Sequence, residues 1–487
     1  MKKPSTEPRS RISTNTKKKK NREFVVITYL FVGMFMLMMG YFAYFQIFRS
    51  EDFINSPYNT RQNTFAEHVV RGEIRSADGK TLAQTIVGED GSETRYYPYG
   101  SMFAHAVGYD SNGKSGIESF GNFSLLRSHA FFLEQVFHGI QDQKNQGDNI
   151  VTTLNYDLQE TAYQALGENR GAVVVLEPDT GKILAMVSKP DFDPNTIEAQ
   201  WDSIISNTDS ENSILVNRAT QGLYPPGSTF KILTTLEYIR ENSNYQNYSY
   251  ECTGSIAMEN TEIHCYNHAV HGMENLETSF AKSCNTSYAN IGLGLDKKAF
   301  WQLCDSVLFG KDLPISYPFN KSSFVLKENS NTDEVTQTAI GQGETLVTPM
   351  HMAMLTSAIA NKGILMRPYV IDHTENYKGV TVKNYRASQY GSLFTQEEAA
   401  KLGEFMSLVV SEGTGSKLSG QSYQAAGKTG SAEFSSNKSE SHAWFTGYAS
   451  TEEKGTIAVT VIVEKGGSGS EAAVPIAKQV FDRFFTM

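Results

Sequence analysis

The feature that most restricts this chain is a run of 25 residues, Phe24 to Phe48, without one charged side chain. It reads FVVITYLFVGMFMLMMGYFAYFQIF. As a helix it extends ~37 Å, enough to cross roughly 30 Å of hydrocarbon with some tilt. A core helix of a soluble domain would show a polar face, and this run has none. A cleaved signal peptide has a shorter apolar stretch and a small-residue cleavage site. Here the run ends in Tyr44-Phe45-Gln46-Ile47-Phe48. An uncleaved transmembrane helix is expected over 24–48.

Charge then sets the orientation. Residues 1–23 carry nine basic groups against two acids, a net +7, so the total of −10 conceals −17 beyond residue 23. Basic segments stay on the cytoplasmic side. The expectation is a single-pass plasma-membrane protein with a basic cytoplasmic tail at 1–23 and its bulk outside the cell. An acidic outer part excludes a binder that meets nucleic acid with a basic surface. The chain's 487 residues exceed what one core supports, and its 28 Phe and 24 Tyr exclude general disorder. Four Cys exclude a disulfide-dense scaffold.

Beyond the anchor, residues 49–150 read as a small, turn-rich membrane-proximal unit. Arg71 to Thr85 predicts two strands around Asp78-Gly79, and YNTRQ, RYYPYG and GKSGIE continue the irregular style. A larger unit spans 151–487. It opens with a hairpin over Gly171 to Val187 around Asp179-Thr180-Gly181, then becomes mainly helical from about 190 to 420. Pro349 to Gly363 has Pro at a helix start and Gly past its end. Strand signals return in GKTGSAEF, HAWFTGYAS and GTIAVTVIVEKG, and an amphipathic helix closes the chain over Glu471 to Phe485. This order describes an antiparallel sheet with a helical layer and a helical insertion, an α+β fold.

Three short elements carry chemistry. In Tyr-Pro-Pro-Gly-Ser-Thr-Phe-Lys (Tyr224 to Lys231), a turn leads into an apolar-periodic helix. Ser228 then sits at a helix N-terminus with Lys231 one turn on. A Ser hydroxyl needs a base, and a desolvated Lys can be neutral and serve as one. The spacing recurs at Ser435 to Lys438, in a polar stretch with no helix following. Ser283-Cys284-Asn285 places a hydroxyl and an amide at a turn; its bland reading is a helix cap, and Ser210 to Asn212 also fits the pattern. Lys428-Thr429-Gly430 opens a strand, where Lys428 and the Thr429 hydroxyl suit a carboxylate and Gly430 lets a substrate backbone approach. A P-loop reading fails, since no Gly precedes at the required spacing and a strand follows. Ser-x-x-Lys, Ser-x-Asn and Lys-Thr-Gly in this order form the set of penicillin-binding proteins and serine β-lactamases.

With these motifs, the chain resembles a class B penicillin-binding protein over nearly its whole length. RGEIRSADGKTLA, RGAVVVLEPDTGKILAMVSKPDFDPN, TAIGQGETLVTPMHMAMLTSAIANKG, VVSEGTGSKL and SHAWFTGYAS are similar to segments of that class. The resemblance implies a penicillin-binding, serine β-lactamase-like transpeptidase domain, an antiparallel sheet with helical layers, after an N-terminal transmembrane helix and a small membrane-proximal domain of dimerisation type. It implies that Ser228 attacks the carbonyl between the last two D-alanines of a peptidoglycan stem peptide and that Lys231 takes its proton. Ser283 would relay the proton to the leaving D-alanine, Asn285 would orient the substrate amide, and Lys428 and Thr429 would bind the terminal carboxylate. Backbone N–H groups of Ser228 and Ser431 would form the oxyanion hole. Stem peptides, β-lactams and the membrane are the implied partners, with a separate glycosyltransferase, since only about 100 residues lie between the span and the catalytic domain; no cofactor and no nucleic acid are implied.

The alternatives on the same fold are a D,D-carboxypeptidase or β-lactamase, which would pass the acyl group to water, and a β-lactam sensor or idle scaffold. A class A β-lactamase needs a deacylating Glu, and no Glu-x-x-x-Asn occurs over 286–427. An idle scaffold would have lost motif residues.

Cys252, His264, Cys265, His268 and His271 lie within 20 residues. The expectation is free thiols and surface histidines in a substrate-side loop, with no metal ligand assigned. A Cys252–Cys265 disulfide is one alternative outside the membrane. A structural zinc is another, disfavoured because paired Cys-x-x-Cys spacing is missing. Cys284 and Cys304 are expected as buried thiols.

Overall fold

The computed structural model describes residues 15–46, 66–141, 143–209, 212–258, 260–433 and 440–487. The first 14 residues of the tail, the end of the apolar run, the YNTRQ segment, Ser210 with Glu211, and the Ser435 to Lys438 match lie outside the described residues. The chain divides into two compact units, Met1–Asn59 and Thr60–Met487.

In the first unit, helix α1 covers Asn15–Tyr44. It starts earlier than the uncharged run because Lys and Arg are good helix formers. Its Arg22–Tyr44 part has a mean hydropathy of 2.0, the one helix among the described residues long and apolar enough to cross a membrane. Phe24, Leu37 and Met38 are all exposed, as a lipid-facing surface requires.

The second unit begins with β1 (Ile74–Arg75) and β2 (Thr81–Val87), paired antiparallel around Asp78-Gly79, where Gly79 takes a positive φ of 81°. β3 (Glu93–Tyr96) follows, then β4 (Asn149–Thr152), parallel to β1. Helix α2 (Tyr156–Leu166), N-capped by Asn155, leads into the hairpin of β5 (Gly171–Leu176) and β6 (Ile183–Lys189). A one-turn 3₁₀ helix at Gly227–Phe230 runs into α3 (Lys231–Glu241). Four short strands come next: β7 (Tyr250–Cys252), β8 (Ser255–Ala257), β9 (Glu262–His264) and β10 (Gly272–Glu274). Then come α4 (Leu276–Ala281), α5 (Asn285–Gly294) and α6 (Pro349–Ala360), the last with Pro in its first turn after the Thr348 cap. β11 (Ile371–Glu375), β12 (Thr381–Asn384) and α7 (Gln396–Ser411) precede β13 (Gln424–Glu433), β14 (Ser441–Thr451) and β15 (Gly455–Val463). The closing helix begins as a π turn at Gly469–Ala473 and continues as α8 (Val474–Thr486).

The catalytic sheet has the order β13-β14-β15-β5-β6 and is antiparallel throughout. Alternation along each strand gives it two apolar faces. Val173, Val175, Phe445 and Val461 pack under α2 and α8 through Leu158, Ala162 and Phe481. Val174, Leu176, Trp444 and Ile462 face the other way, in one core with Met350, Leu402 and Phe405 of α6 and α7. α6 is buried from Pro349 to Ile359, which is why its apolar residues surround it instead of forming a stripe. At ~1.5–3 kcal/mol for each large apolar side chain, this two-sided core holds the strand bearing Lys428 rigidly.

The second sheet has the order β12-β11-β4-β1-β2-β3. Sequence reading treats 49–150 as a self-standing unit, yet β11 and β12 arrive from residues 371–384 to extend its sheet. An ion pair of 2.7 Å from Arg75 to Glu375 ties the two stretches together. Such pairing between distant segments leaves no local signal.

Below this sheet Glu118 is fully buried between two guanidinium groups, 2.5 Å from Arg71 and 2.8 Å from Arg95. Burial pushes its pKa up and the two arginines pull it down, with a net lowering. Removing one partner of a buried charge network strands the others. Glu118→Ala is therefore expected to cost about 3 kcal/mol, measurable by denaturant unfolding of the detergent-solubilised chain. A loss below about 0.5 kcal/mol would contradict this account.

Candidate active site

Ser228 lies half-buried in the 3₁₀ turn, three residues before the start of α3. The turn is clamped from several sides. Gly227 has a positive φ of 53°, and a Cβ there would come within 3.0 Å of the Ser431 carbonyl oxygen. Its N–H donates to Gly341 O at 2.8 Å. The buried Trp444 indole donates to Pro225 O at 3.0 Å, fixing the approach to the turn. Lys231, the first residue of α3, has no exposed surface.

Ser283 joins α4 to α5 with a positive φ of 60°, a left-handed conformation that costs a non-glycine residue about 1 kcal/mol or more. Two lysines meet there. Lys231 Nζ donates to Ser283 O at 2.8 Å and to Asn285 Oδ1 at 2.8 Å, and lies 3.4 Å from Ser283 Oγ. Lys428 Nζ donates to Ser283 Oγ at 2.9 Å. Lys428, the fifth residue of β13, is also fully buried, with its amine against the Ser283 hydroxyl. Burial pushes the Lys231 pKa down to about 8. Burial, then the charge of Lys231, pushes Lys428 well below the usual lysine range. A buried ammonium costs free energy, so desolvation here favours a neutral amine that can accept a proton.

A groove above the lysines is lined by Ser228, Ser283, Asn285, Thr429, Gly430 and Ser431. All seven residues singled out from the three motifs, and Ser431 after the third, thus gather around one groove or just beneath it. The details differ from the sequence reading in places. No hydrogen bond joins Lys231 to Ser228 among the described residues; Lys231 is engaged with the Ser283–Asn285 turn. Asn285 donates to His264 O at 2.9 Å, which occupies one of its two amide N–H groups and leaves one for a ligand. The missing Cβ of Gly430 would lie 3.1 Å from Pro226 O and 3.1 Å from Trp444 Cβ. That glycine therefore lets β13 pack against the Ser228 turn, a role beyond the substrate approach expected for it.

Sequence reasoning missed Trp444 and Thr414, and it placed His264 in a substrate-side loop without the contact of its carbonyl to Asn285. The Thr414 hydroxyl is 2.5 Å from that of Thr429, setting its rotamer at the groove wall. Its only sequence signal is its place in VVSEGTGSKL. Thr414→Val is expected to lower the second-order rate of penicillin acylation roughly tenfold, the worth of one hydrogen bond. An unchanged rate would remove Thr414 from the site.

Behind the Ser283–Asn285 turn, Cys252, Cys265 and Cys284 are buried free thiols, as is Cys304 elsewhere. The Cys252–Cys265 disulfide is thus not formed. His271 is not a free surface residue; its ring faces the Cys252 sulfur.

Residues 171–482 match the penicillin binding protein transpeptidase domain, and residues 71–150 match the penicillin binding protein A dimerisation domain. The chain is 31% identical to the peptidoglycan D,D-transpeptidase PbpA of Mycolicibacterium smegmatis, over 91% of this chain and 95% of that protein. Among solved structures, it is similar to penicillin-binding protein A of M. tuberculosis in its imipenem acyl-enzyme complex. There the TM-score is 0.77, with 27% identity over 86% of this chain and 99% of that one. The D,D-transpeptidase domain of a peptidoglycan glycosyltransferase from Eggerthella lenta gives a TM-score of 0.75, with 29% identity over 85% and 97%.

Proposed function

The chain belongs to the penicillin-binding protein transpeptidase family, and from that premise we propose that it is a serine-type peptidoglycan D,D-transpeptidase, inhibited covalently by β-lactams. The observation that carries the residue assignment is the Ser283 hydroxyl held between the Lys231 and Lys428 amines beside the groove that Ser228 lines.

In this reading Ser228 Oγ adds to the carbonyl of the penultimate D-alanine while neutral Lys231 takes the hydroxyl proton. Developing charge on the carbonyl oxygen is met by the N–H groups of Ser228 and Ser431. The C–N bond then breaks. The terminal D-alanine leaves as an amine, receiving its proton through Ser283, whose hydroxyl is within reach of both lysines. Lys428 and Thr429 hold the terminal carboxylate, and Asn285 uses its remaining N–H on the substrate amide. The amine of a neighbouring stem peptide attacks the Ser228 ester, forming the cross-link and freeing the serine. A β-lactam follows the same first step, but its leaving nitrogen stays tethered and blocks the acceptor.

The same proposal divides the chain into a tail at 1–23, a span at 24–48, a membrane-proximal domain at 49–150 and a transpeptidase domain at 151–487, with 371–384 lent to the second sheet. The +7 tail supports a cytoplasmic N-terminus and an extracellular catalytic domain. A separate glycosyltransferase as the source of glycan strands belongs to the same proposal.

The test uses the full-length chain in detergent. Fluorescent penicillin should label it, and a D-alanyl-D-alanine donor with an amine acceptor should yield the aminolysis product. Hydrolysis alone, at any acceptor concentration, would convert the reading to a carboxypeptidase. No labelling would overturn it.

A further inference from the structure

Four metal-type donors converge outside the acyl-transfer machinery. Cys252 Sγ and Cys265 Sγ are 3.7 Å apart, Cys265 Sγ and Cys284 Sγ are 3.7 Å apart, and Cys252 Sγ is 3.3 Å from His271 Nδ1. All four donor atoms lie within 4.8 Å of one another. A tetrahedral zinc ion with Zn–S of about 2.3 Å and Zn–N of about 2.0 Å separates sulfurs by about 3.8 Å and sulfur from nitrogen by about 3.5 Å. Three of the cluster's six edges already have about these lengths, and the other three are within 4.8 Å, a small closure from them.

The surroundings suit thiolates. Thr286 Oγ1 donates to Cys252 Sγ at 3.2 Å, and the Ser287 N–H donates to Cys284 Sγ at 3.4 Å. Hydrogen bonds of this kind, from outer residues to ligand sulfur, are what metal–thiolate sites use to orient and tune their ligands. A packing explanation accounts for buried thiols, which behave as small hydrophobes. It does not account for an imidazole nitrogen aimed at them.

The ligands come from distinct elements. Cys252 ends β7, Cys265 follows β9, His271 precedes β10, and Cys284 caps α5. No two are spaced as Cys-x-x-Cys, which is why spacing argued against a metal. Folding supplies the proximity instead, through the Cys252–Gly272 register of β7 and β10.

We propose that Cys252, Cys265, His271 and Cys284 bind one zinc ion in a closed, four-coordinate structural site that fastens the β7–β10 segment to the Ser283–Asn285 turn. Three thiols give up protons on binding and the imidazole binds neutral, so the filled site carries one net negative charge. Cys284 lies between Ser283 and Asn285, and Asn285 also reaches His264 O on the same segment. The metal is a positioning element for that turn and takes no part in acyl transfer.

The experiment purifies the full-length chain in detergent and reducing agent without chelators, then measures metal by mass spectrometry. About one zinc per chain is expected. Cobalt replacement should give thiolate charge-transfer absorption and the intense visible bands of a tetrahedral site. Cys304→Ser, a buried cysteine outside the cluster, should retain the metal. Cys265→Ser and His271→Gln should each weaken binding at least tenfold. Zinc below about 0.1 per chain with no cobalt–thiolate spectrum would overturn the site, as would full metal retention in Cys265→Ser. A Cys252–Cys265 disulfide in the native protein would do so too. Because the cobalt spectrum is read on the native chain, the test survives a variant that fails to fold. Penicillin labelling of the same preparations separates the two readings: zinc without labelling overturns the transpeptidase, and labelling without zinc overturns the metal site.

Discussion

Ser228→Ala is expected to abolish covalent labelling by fluorescent penicillin, lowering acylation by about 10³-fold or more. The side chain lies on the groove wall, and in the proposed mechanism its loss removes the atom that forms the acyl bond while leaving Lys428 and Thr429 to bind the carboxylate. Affinity should therefore survive as reversible binding without a covalent adduct. Because Ser228 is half-buried and its neighbours are held by Gly227, Trp444 and Gly341, the variant should melt within a few degrees of the native chain. Two controls give the prediction its edge. Ser435→Ala, in the second Ser-x-x-Lys match, should label normally. Cys304→Ser should label normally too, since its buried thiol does not line the groove. A stoichiometric adduct on Ser228→Ala, located by peptide mass spectrometry at another residue, would sink the assignment of the nucleophile.

What could be read from the sequence divides along the range of the interactions. The Asp179-Thr180-Gly181 hairpin, the Pro at the start of α6 and the strand carrying Lys428 were legible because each depends on neighbours within a few residues. The three motifs were legible as a set because their order and local elements agree, although each alone is common. The gathering of Lys231 and Lys428 on one hydroxyl is a different kind of fact. It requires α3, the α4–α5 turn and β13 to meet, and only the two-sided core achieves that. The same limit explains why β11 and β12 were not assigned to the membrane-proximal sheet, and why Thr414 went unnoticed beside Thr429. It also explains the cysteines. Sequence spacing tests for ligands within one loop, whereas the donors here sit at the ends of separate strands and at a helix cap. Trp444 shows the opposite case. Its apolar bulk marks it as core, and its functional part is a single N–H that reaches Pro225.

Acylation should rise with pH through a midpoint of about 8, because in the proposed mechanism Lys231 must be neutral to accept the Ser228 proton. The sign follows from the direction of the shift. Burial lowers the Lys231 pKa from the ordinary lysine range to about 8, so below that value the amine is protonated and cannot act as a base. The rate constant for penicillin acylation should fall roughly tenfold for each pH unit below the midpoint and level off above it. An unshifted lysine would still be climbing at about pH 10. Lys231→Met should cost about 10³-fold or more, as it deletes the base while nearly preserving volume at a fully buried position. Lys231→Arg should fare no better, since a guanidinium stays protonated throughout this range. That comparison separates a base from a mere positive charge. If the lysine served only to stabilise negative charge, Arg would rescue much of the loss and the native profile would fall as pH rose. Measured from about pH 6 to about pH 10, a flat or falling profile, or near-native acylation by Lys231→Arg, would assign proton removal to another group, with the amine of Lys428, which also lies against Ser283, the next to be tested.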